Sequence, residues 1–185
     1  VGPTGAGKSS LISLILRLYD PWSGRILLDG KDLREWDPAI LRESFALVPQ
    51  DVFLFSDTLR ENVRLWNQDL NDSALLEALR TVQADSLLKR NPEGLETVLA
   101  ERGQTLSTGE RQLLAFARAL AVNPRVLILD EATASIDPAT ESKIQNALQT
   151  LLKGRTAIVI AHRLTTIRQA HRIIVLNQGR IVESG

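Results

Sequence analysis

The stretch GPTGAGKS at residues 2–9 decides the fold of this 185-residue chain. It matches the pattern G-x-x-x-x-G-K-[ST], whose glycines let backbone N–H groups turn inward around a triphosphate. The positive end of the following helix adds to this site, the Lys8 ammonium reaches the β and γ phosphates, and the Ser9 hydroxyl can coordinate Mg²⁺. The residues predicted to bind the nucleotide here are Gly2, Pro3, Thr4, Gly5, Ala6, Gly7, Lys8, Ser9 and Ser10.

The alternative is that this stretch is only a flexible glycine-rich turn. It is disfavoured because residues 9–18 are strongly apolar and end at Asp20-Pro21, as a buried helix would. A loop of this kind is normally held at the end of a buried strand, and Val1 opens directly onto it. We therefore expect the fold to include a strand upstream of Val1, so that this chain is truncated at its N-terminus.

A triphosphatase also needs an acidic residue at the end of a buried strand, placed to hold Mg²⁺. Residues 126–131 read VLILDE, which puts Asp130 at the carboxyl edge of such a strand as a predicted metal ligand. Glu131 beside it is the candidate for orienting or deprotonating the attacking water. The alternative is that the two carboxylates only add polarity where the strand leaves the core.

The composition limits which functions and sites the chain can have besides nucleotide binding. The chain is 44% hydrophobic, which suits one domain with a substantial core, and its 22 basic and 22 acidic residues cancel. Zero net charge gives no broad attraction to nucleic acid or anionic lipid. The absence of cysteine excludes disulfides and thiolate zinc sites. No apolar run approaches the roughly 20 residues of a membrane span.

Hydrophobic periodicity predicts an α/β fold with a mostly parallel sheet. Consecutive apolar residues in VLIL and AIVIA are typical of strands covered by helices on both faces. The predicted strands are 24–30, 45–48, 126–129, 157–161 and 173–176, with a hairpin turn at 177–179 leading into 180–183. The predicted helical segments are 9–18, 71–90, 107–122, 138–152 and a short one near 165–170. We expect a single domain over 1–185, with an α/β core at 1–69 and 123–185 and a helical subdomain at 70–122.

With these elements the chain resembles the ATP-binding cassette (ABC) ATPases, nearly from end to end. The segment LSTGERQ at 106–112 resembles the family's signature motif, and Gln50 its Q-loop. Ser135-Ile136-Asp137 resembles the D-loop, and His162 the switch histidine. The resemblance implies a P-loop NTPase core with an inserted helical subdomain, and a head-to-tail dimer in which ATP lies between one phosphate loop and the other chain's signature helix.

The resemblance also assigns roles to residues outside the phosphate loop. It implies that Ser107, Gly109 and Asp137 contact the nucleotide, and that His162 faces its γ-phosphate. Gln50 would contact Mg²⁺ or the attacking water, so it counts as both a catalytic and a metal-binding candidate. A strand-end polar residue is the plain alternative for His162, and a turn residue is the alternative for Gln50.

The signature departs from the family pattern at two positions. Thr108 and Glu110 stand where the family usually has Gly and Gln. Ser107-x-x-Glu110 before an apolar run predicts a capping box, which starts the helix but also brings a carboxylate near a partner's γ-phosphate. We expect the site completed by this signature to be weakened, and therefore a heterodimer of one altered and one competent site.

Two further segments resemble exporters of the family. They are Glu101-Arg102-Gly103 ahead of the signature and the stretch TLRENV at 58–63. This resemblance implies a bacterial multidrug or lipid exporter, with a fused or associated transmembrane domain, at the cytoplasmic face of the cell membrane. The alternatives are the ATPase subunit of an ABC importer and a soluble ABC protein that does not transport. The latter would usually bring basic or coiled-coil segments.

Overall fold

A computed structural model describes residues 1–100, 103–130, 138–161 and 167–185, with the side chains of Pro138 and Ala139 left aside. The helices are α1 (Lys8–Ile15), α2 (Pro38–Ser44), α3 (Leu59–Arg64), α4 (Asp72–Thr81), α5 (Asp85–Arg90), α6 (Thr108–Ala121) and α7 (Pro138–Leu152). The strands are β1 (Leu27–Leu28), β2 (Lys31–Asp32), β3 (Phe45–Val48), β4 (Val126–Asp130), β5 (Thr156–Ile160), β6 (Ile174–Asn177) and β7 (Arg180–Ser184). Within these ranges no helix is long and apolar enough to cross a membrane.

The central sheet is parallel, in the order β3-β4-β5. Its consecutive apolar residues alternate between two covered faces, as the sequence predicted. Leu127 and Leu129 join the large core with α6 and α7, whereas Ile128 and Ile160 pack with Ile12 of α1 on the other face. The predicted α/β class and parallel sheet are therefore confirmed.

One hydrophobic cluster runs from the sheet into the helical part of the chain. It joins Val48 and Leu129 of the sheet to Leu75 and Leu79 of α4 and Leu114 of α6, all 3% exposed or less. Burying each of these side chains is worth roughly 1.5–3 kcal/mol. The helices therefore share a core with the sheet, and the boundaries predicted at 70 and 122 remain a prediction.

Positive φ angles explain where two of the helices differ from the predicted ranges. The first helix ends at Ile15 instead of residue 18, because Arg17 is left-handed with φ of 51°. The strand predicted at 24–30 shrinks to β1, which forms a tight antiparallel hairpin with β2. The helical segment predicted at 71–90 splits into α4 and α5 where Gln83 has φ of 59°. The first two residues of the helix predicted near 165–170 lie outside the described residues, and residues 167–168 are helical.

Candidate nucleotide-binding site

The phosphate loop leads into a helix whose first turn has no side-chain cap. The N-cap of α1 is Gly7, with φ of 97°. Lys8 bends back over the loop, and its Nζ donates to the carbonyl oxygens of Gly2 at 2.7 Å and Pro3 at 2.8 Å. Ser9 and Ser10 are exposed. The loop thus offers a helix N-terminus, an ammonium group and two hydroxyl groups, a set of donors that suits an anion.

The β6–β7 hairpin supports the loop from behind, which sequence reasoning did not foresee. Val1 N donates to Ile174 O at 2.8 Å and Leu176 N donates to Val1 O at 2.9 Å, the pattern of a parallel pair. Gly179 N donates to Ala6 O at 2.9 Å. The hairpin turn itself was predicted, but no local pattern signalled that it would reach a loop more than 170 positions earlier.

Gly2 is the residue of the phosphate loop that packs most tightly against β6. A Cβ atom added to Gly2 would lie 2.2 Å from the carbonyl oxygen of Leu176, far inside van der Waals contact. Its φ of 151° also lies outside the range that side chains readily adopt. The first glycine of the motif is therefore required by packing against β6, in addition to any contact with phosphate.

Two of the predicted metal-site residues lie at the carboxyl edge of the central sheet. Val48 of β3 pairs with Leu129 of β4, so Asp130 ends β4 and Gln50 lies two residues past the end of the neighbouring parallel strand β3. Asp130 is half-buried and Gln50 is exposed. Carboxylate, amide and hydroxyl oxygens are ligands that Mg²⁺ accepts in proteins.

Three other predicted site residues lie outside the described residues. They are Glu131, Asp137 and His162. β5 ends at Ile160, whose register partner is Asp130, so β4 and β5 end at the same edge of the sheet. The predicted roles of all three residues stay predictions.

The predicted capping box at the start of α6 is present. Glu110 N donates to Ser107 Oγ at 3.2 Å, and Ser107 N donates to Glu110 Oε2 at 2.9 Å. Gly109 is buried, while Ser107 and Thr108 are exposed. The exposed end of the signature segment is thus the side that a partner could reach.

Glu110 also has a cationic partner that the sequence did not reveal. Arg90, the last residue of α5, donates from Nη2 to Glu110 Oε1 at 2.5 Å. Arg111 donates from Nη1 to Leu106 O at 2.7 Å and from Nη2 to Thr108 Oγ1 at 3.1 Å. The Glu110 carboxylate is therefore balanced by the Arg90 guanidinium, while that of Arg111 is bound to Leu106 and Thr108. A separation of 20 residues hides the Arg90 contact from any local pattern.

Comparison with known proteins identifies the family of this chain. The ABC transporter family model matches residues 1–134, and the chain belongs to the ABC transporter family as an ATP-binding domain. Members of the family hydrolyse ATP.

The relatives include several proteins named as exporters. A probable multidrug resistance ABC transporter ATP-binding/permease protein of Bacillus subtilis is 50% identical over the whole chain, which covers 28% of that protein. An ATP-dependent lipid A-core flippase of Syntrophus aciditrophicus is 48% identical, again over the whole chain and over 31% of its own length. The chain thus spans about a third of the length of these relatives or less.

A solved structure supports the fold over the full length of the chain. It is that of a bacterial Atm1-family ABC exporter with ATP bound, 42% identical, with a TM-score of 0.88 over 100% of this chain and 32% of that one. The ABC ATPase fold predicted from the motifs is therefore confirmed.

Proposed function

We propose that this chain is the part of an ABC exporter that binds and hydrolyses ATP to drive a substrate across a membrane. The observation that carries the proposal is the phosphate loop, where an uncapped helix start and the Lys8 ammonium face an exposed surface. The relatives named as a multidrug resistance permease and a lipid flippase favour export of an amphipathic substrate. The complete protein would place this domain at the cytoplasmic face of the cell membrane, attached to a transmembrane domain.

The residues fit a nucleotide with Mg²⁺. The ammonium of Lys8 donates hydrogen bonds to two loop carbonyl oxygens in this structure. A bound phosphate would replace these neutral acceptors, because hydrogen bonds to an anion are stronger. The loop from Gly2 to Ser10 would hold the phosphates. Ser9, Gln50 and Asp130 would hold Mg²⁺, which when bound neutralises charge that develops on the β and γ phosphates.

Hydrolysis would proceed by in-line attack of water on the γ-phosphorus, with ADP as the leaving group. Glu131 would orient the water and accept its proton, and Gln50 would help to position it. His162 would donate to the γ-phosphate. Lys8 and the N–H groups at the start of α1 would stabilise the charge on the phosphate oxygens.

The partner would be a second ABC ATPase domain. Its phosphate loop would face Ser107 and Gly109 of this chain, with Asp137 near the shared boundary. We favour a heterodimer, because Thr108 and Glu110 differ from the usual signature. Arg90 reduces the charge that Glu110 brings, so Thr108 carries more of this argument than the carboxylate does.

The sequence-based domain boundaries are part of the same proposal. Residues 1–69 and 123–185 would form the α/β core, and residues 70–122 the helical subdomain that presents the signature. An importer subunit and a soluble ABC protein remain the alternatives, and the names of the relatives favour neither.

The test is ATP hydrolysis by the complete protein in lipid vesicles, with Glu131→Gln compared to the wild type. Abolished turnover with retained ATP binding supports Glu131 as the catalytic carboxylate. Glu77→Gln, an exposed change on α4, is the matched control and should keep full activity. Turnover of Glu131→Gln near the wild-type level would contradict the proposed site. Transport of a fluorescent amphipathic substrate by the same vesicles separates an exporter from an ATPase that does not transport.

Whether the partner is identical is tested by purifying the protein expressed without any other ABC subunit. The proposal expects weak hydrolysis from this preparation and recovery when the partner subunit is added. A stable homodimer with full activity would overturn the heterodimer preference and leave the ATPase assignment standing.

A further inference from the structure

Asn62 on α3 is a polar side chain that is fully buried. Its Nδ2 donates to the carbonyl oxygens of Phe55 at 3.0 Å, Asp57 at 3.2 Å and Thr58 at 3.0 Å. Its Oδ1 accepts from Phe55 N at 2.9 Å. The two hydrogens of the amide are shared among these three carbonyl oxygens. Asn62 therefore holds the backbone of residues 55–58, which belong to the stretch 53–58, here called the 53–58 segment.

Arg118 on α6 holds the same segment from the other side. It donates from Nη1 to Phe53 O at 2.7 Å, from Nε to Asn62 O at 2.5 Å and from Nη2 to Asn62 Oδ1 at 3.0 Å. Burial lowers the pKa of Arg118 to about 10, so the guanidinium remains charged at neutral pH. Its described partners are carbonyl and amide oxygens, with no carboxylate among them.

Arg118 is half-buried, and a guanidinium that loses part of its hydration without a described counter-charge is costly, so packing alone is a poor explanation for it. What sets Arg118 apart is where its hydrogen bonds go. One goes from α6 to Phe53, which is 65 positions away in the sequence and three residues after Gln50, and two go to Asn62, which holds the rest of the segment.

The loop before the signature contacts the same segment. Leu54 is fully buried, and a Cβ atom added to Gly103 would lie 2.4 Å from Leu54 Cδ1. Gly103 has φ of 63° and accepts a hydrogen bond from Leu106 N at 2.9 Å. The 53–58 segment is therefore fixed both to the loop that leads to Ser107 and to a later turn of the helix that Ser107 begins.

We infer that Asn62 and Arg118 are positioning residues that lock the 53–58 segment to α6, so that Gln50 and the signature end of α6 keep one relative position during hydrolysis. This inference rests on the proposed function. It predicts an effect on turnover rather than on ATP binding, because the phosphate loop is supported separately by β6 and β7. A displacement of about 1 Å in a positioning group can lower a rate by roughly 100-fold.

The experiment measures kcat and the KM for ATP of Arg118→Lys in the complete protein in vesicles. Lysine keeps the charge but cannot reproduce the fork that contacts Phe53 and Asn62 together. The expected result is a kcat at least 5-fold lower with a KM within 2-fold of the wild type. Hydrogen exchange of the Phe55 amide should also become faster, while exchange in β4 stays unchanged.

Arg155→Lys is the matched control. Arg155 donates to a backbone carbonyl, Leu151 O, at 3.0 Å and to an asparagine oxygen, Asn123 Oδ1, at 2.8 Å, but it does not hold the 53–58 segment. Its kcat should equal that of the wild type even if its melting temperature falls as much as that of Arg118→Lys. Equal kcat values for both variants and the wild type would overturn the inference.

Asn62→Asp keeps the inference testable if Arg118→Lys does not fold. Aspartate retains an acceptor for Arg118 but removes the donors to the carbonyls of the 53–58 segment. A fall in kcat with faster Phe55 exchange supports the inference, whereas wild-type values of both overturn it. Glu131→Gln in the same preparation distinguishes failure of the proposed function from failure of this inference. If Glu131→Gln remains active, the proposed catalytic site is wrong. If it is inactive, wild-type values for the Asn62 and Arg118 variants contradict only this inference.

Discussion

The two helix N-termini of the proposed site are built in opposite ways. At α1 the N-cap is Gly7, and no side chain caps the helix. At α6, Ser107 and Glu110 satisfy each other's backbone N–H groups, and Arg90 balances the carboxylate. One helix start keeps its positive end for a ligand, and the other is largely satisfied by its own side chains.

This difference predicts which of the two helix N-termini contributes more to ATP affinity. We expect the N-terminus of α1 to bind ATP strongly without a partner chain. No side chain caps its N–H groups, and Lys8 would lose only hydrogen bonds to neutral carbonyl oxygens. We expect α6 to contribute little to initial binding and more to closure of a dimer. The following predictions test that contrast.

Replacing Lys8 should have the largest effect. Lys8→Ala removes the ammonium that would move from the carbonyls of Gly2 and Pro3 to the phosphates. We expect ATP hydrolysis by the complete protein to fall at least 100-fold, with thermal stability within a few degrees of the wild type. Retained hydrolysis would show that the α1 end does not bind the nucleotide.

Gly2→Ala should damage the loop through packing rather than through charge. The added methyl group would meet the carbonyl of Leu176, and overpacking of this kind costs about 1–3 kcal/mol. Urea denaturation should show that loss of unfolding free energy together with weaker ATP binding. Gly185→Ala, where a Cβ atom meets nothing within 4 Å, is the control and should change neither quantity.

Ser107→Ala should cost about 1 kcal/mol of unfolding free energy through loss of the helix cap. Asn71→Ala is a matched control, because Asn71 caps α4 by accepting from Ala74 N at 3.0 Å. The two variants should lose similar stability in urea denaturation, but only Ser107→Ala should reduce ATP-dependent association with the partner subunit in light scattering. Equal dimer formation by both would mean that α6 makes no contact across a dimer.

Arg90→Ala should have the smallest effect. Arg90 is exposed, and ion pairs at the surface are worth about 0–1 kcal/mol. We expect hydrolysis to fall 2- to 5-fold at low salt and by less at high salt, because an unbalanced Glu110 would repel a phosphate. Adding Glu110→Gln should restore activity. If the double variant is no better than Arg90→Ala alone, the charge of Glu110 has no bearing on the site.

Much of the fold could be predicted because its signals are local. Proline and glycine marked the ends of α7, consecutive apolar residues marked β4, and the capping box marked the start of α6. The start of α1 after the glycine-rich stretch and the position of Asp130 at the end of β4 were likewise predicted from short patterns.

Long-range contacts could not be predicted from such patterns. The β6–β7 hairpin behind the phosphate loop, the Arg90–Glu110 pair and the Arg118–Asn62 contacts all join residues far apart in the sequence. Local sequence propensity does not indicate which helices, strands or loops that are distant in the sequence pack against each other. The predicted helix at 9–18 was too long for a related reason, since nothing in its apolar pattern indicated a left-handed Arg17.

The measurement that tests the central claim most directly is an ATP titration of the complete protein at a concentration where it does not dimerise, comparing Lys8→Ala with Ser107→Ala. Our account predicts a dissociation constant at least 100-fold higher for Lys8→Ala and within 2-fold of the wild type for Ser107→Ala. Equal weakening by the two substitutions would contradict it, because the two helix ends would then bind the nucleotide together from the outset.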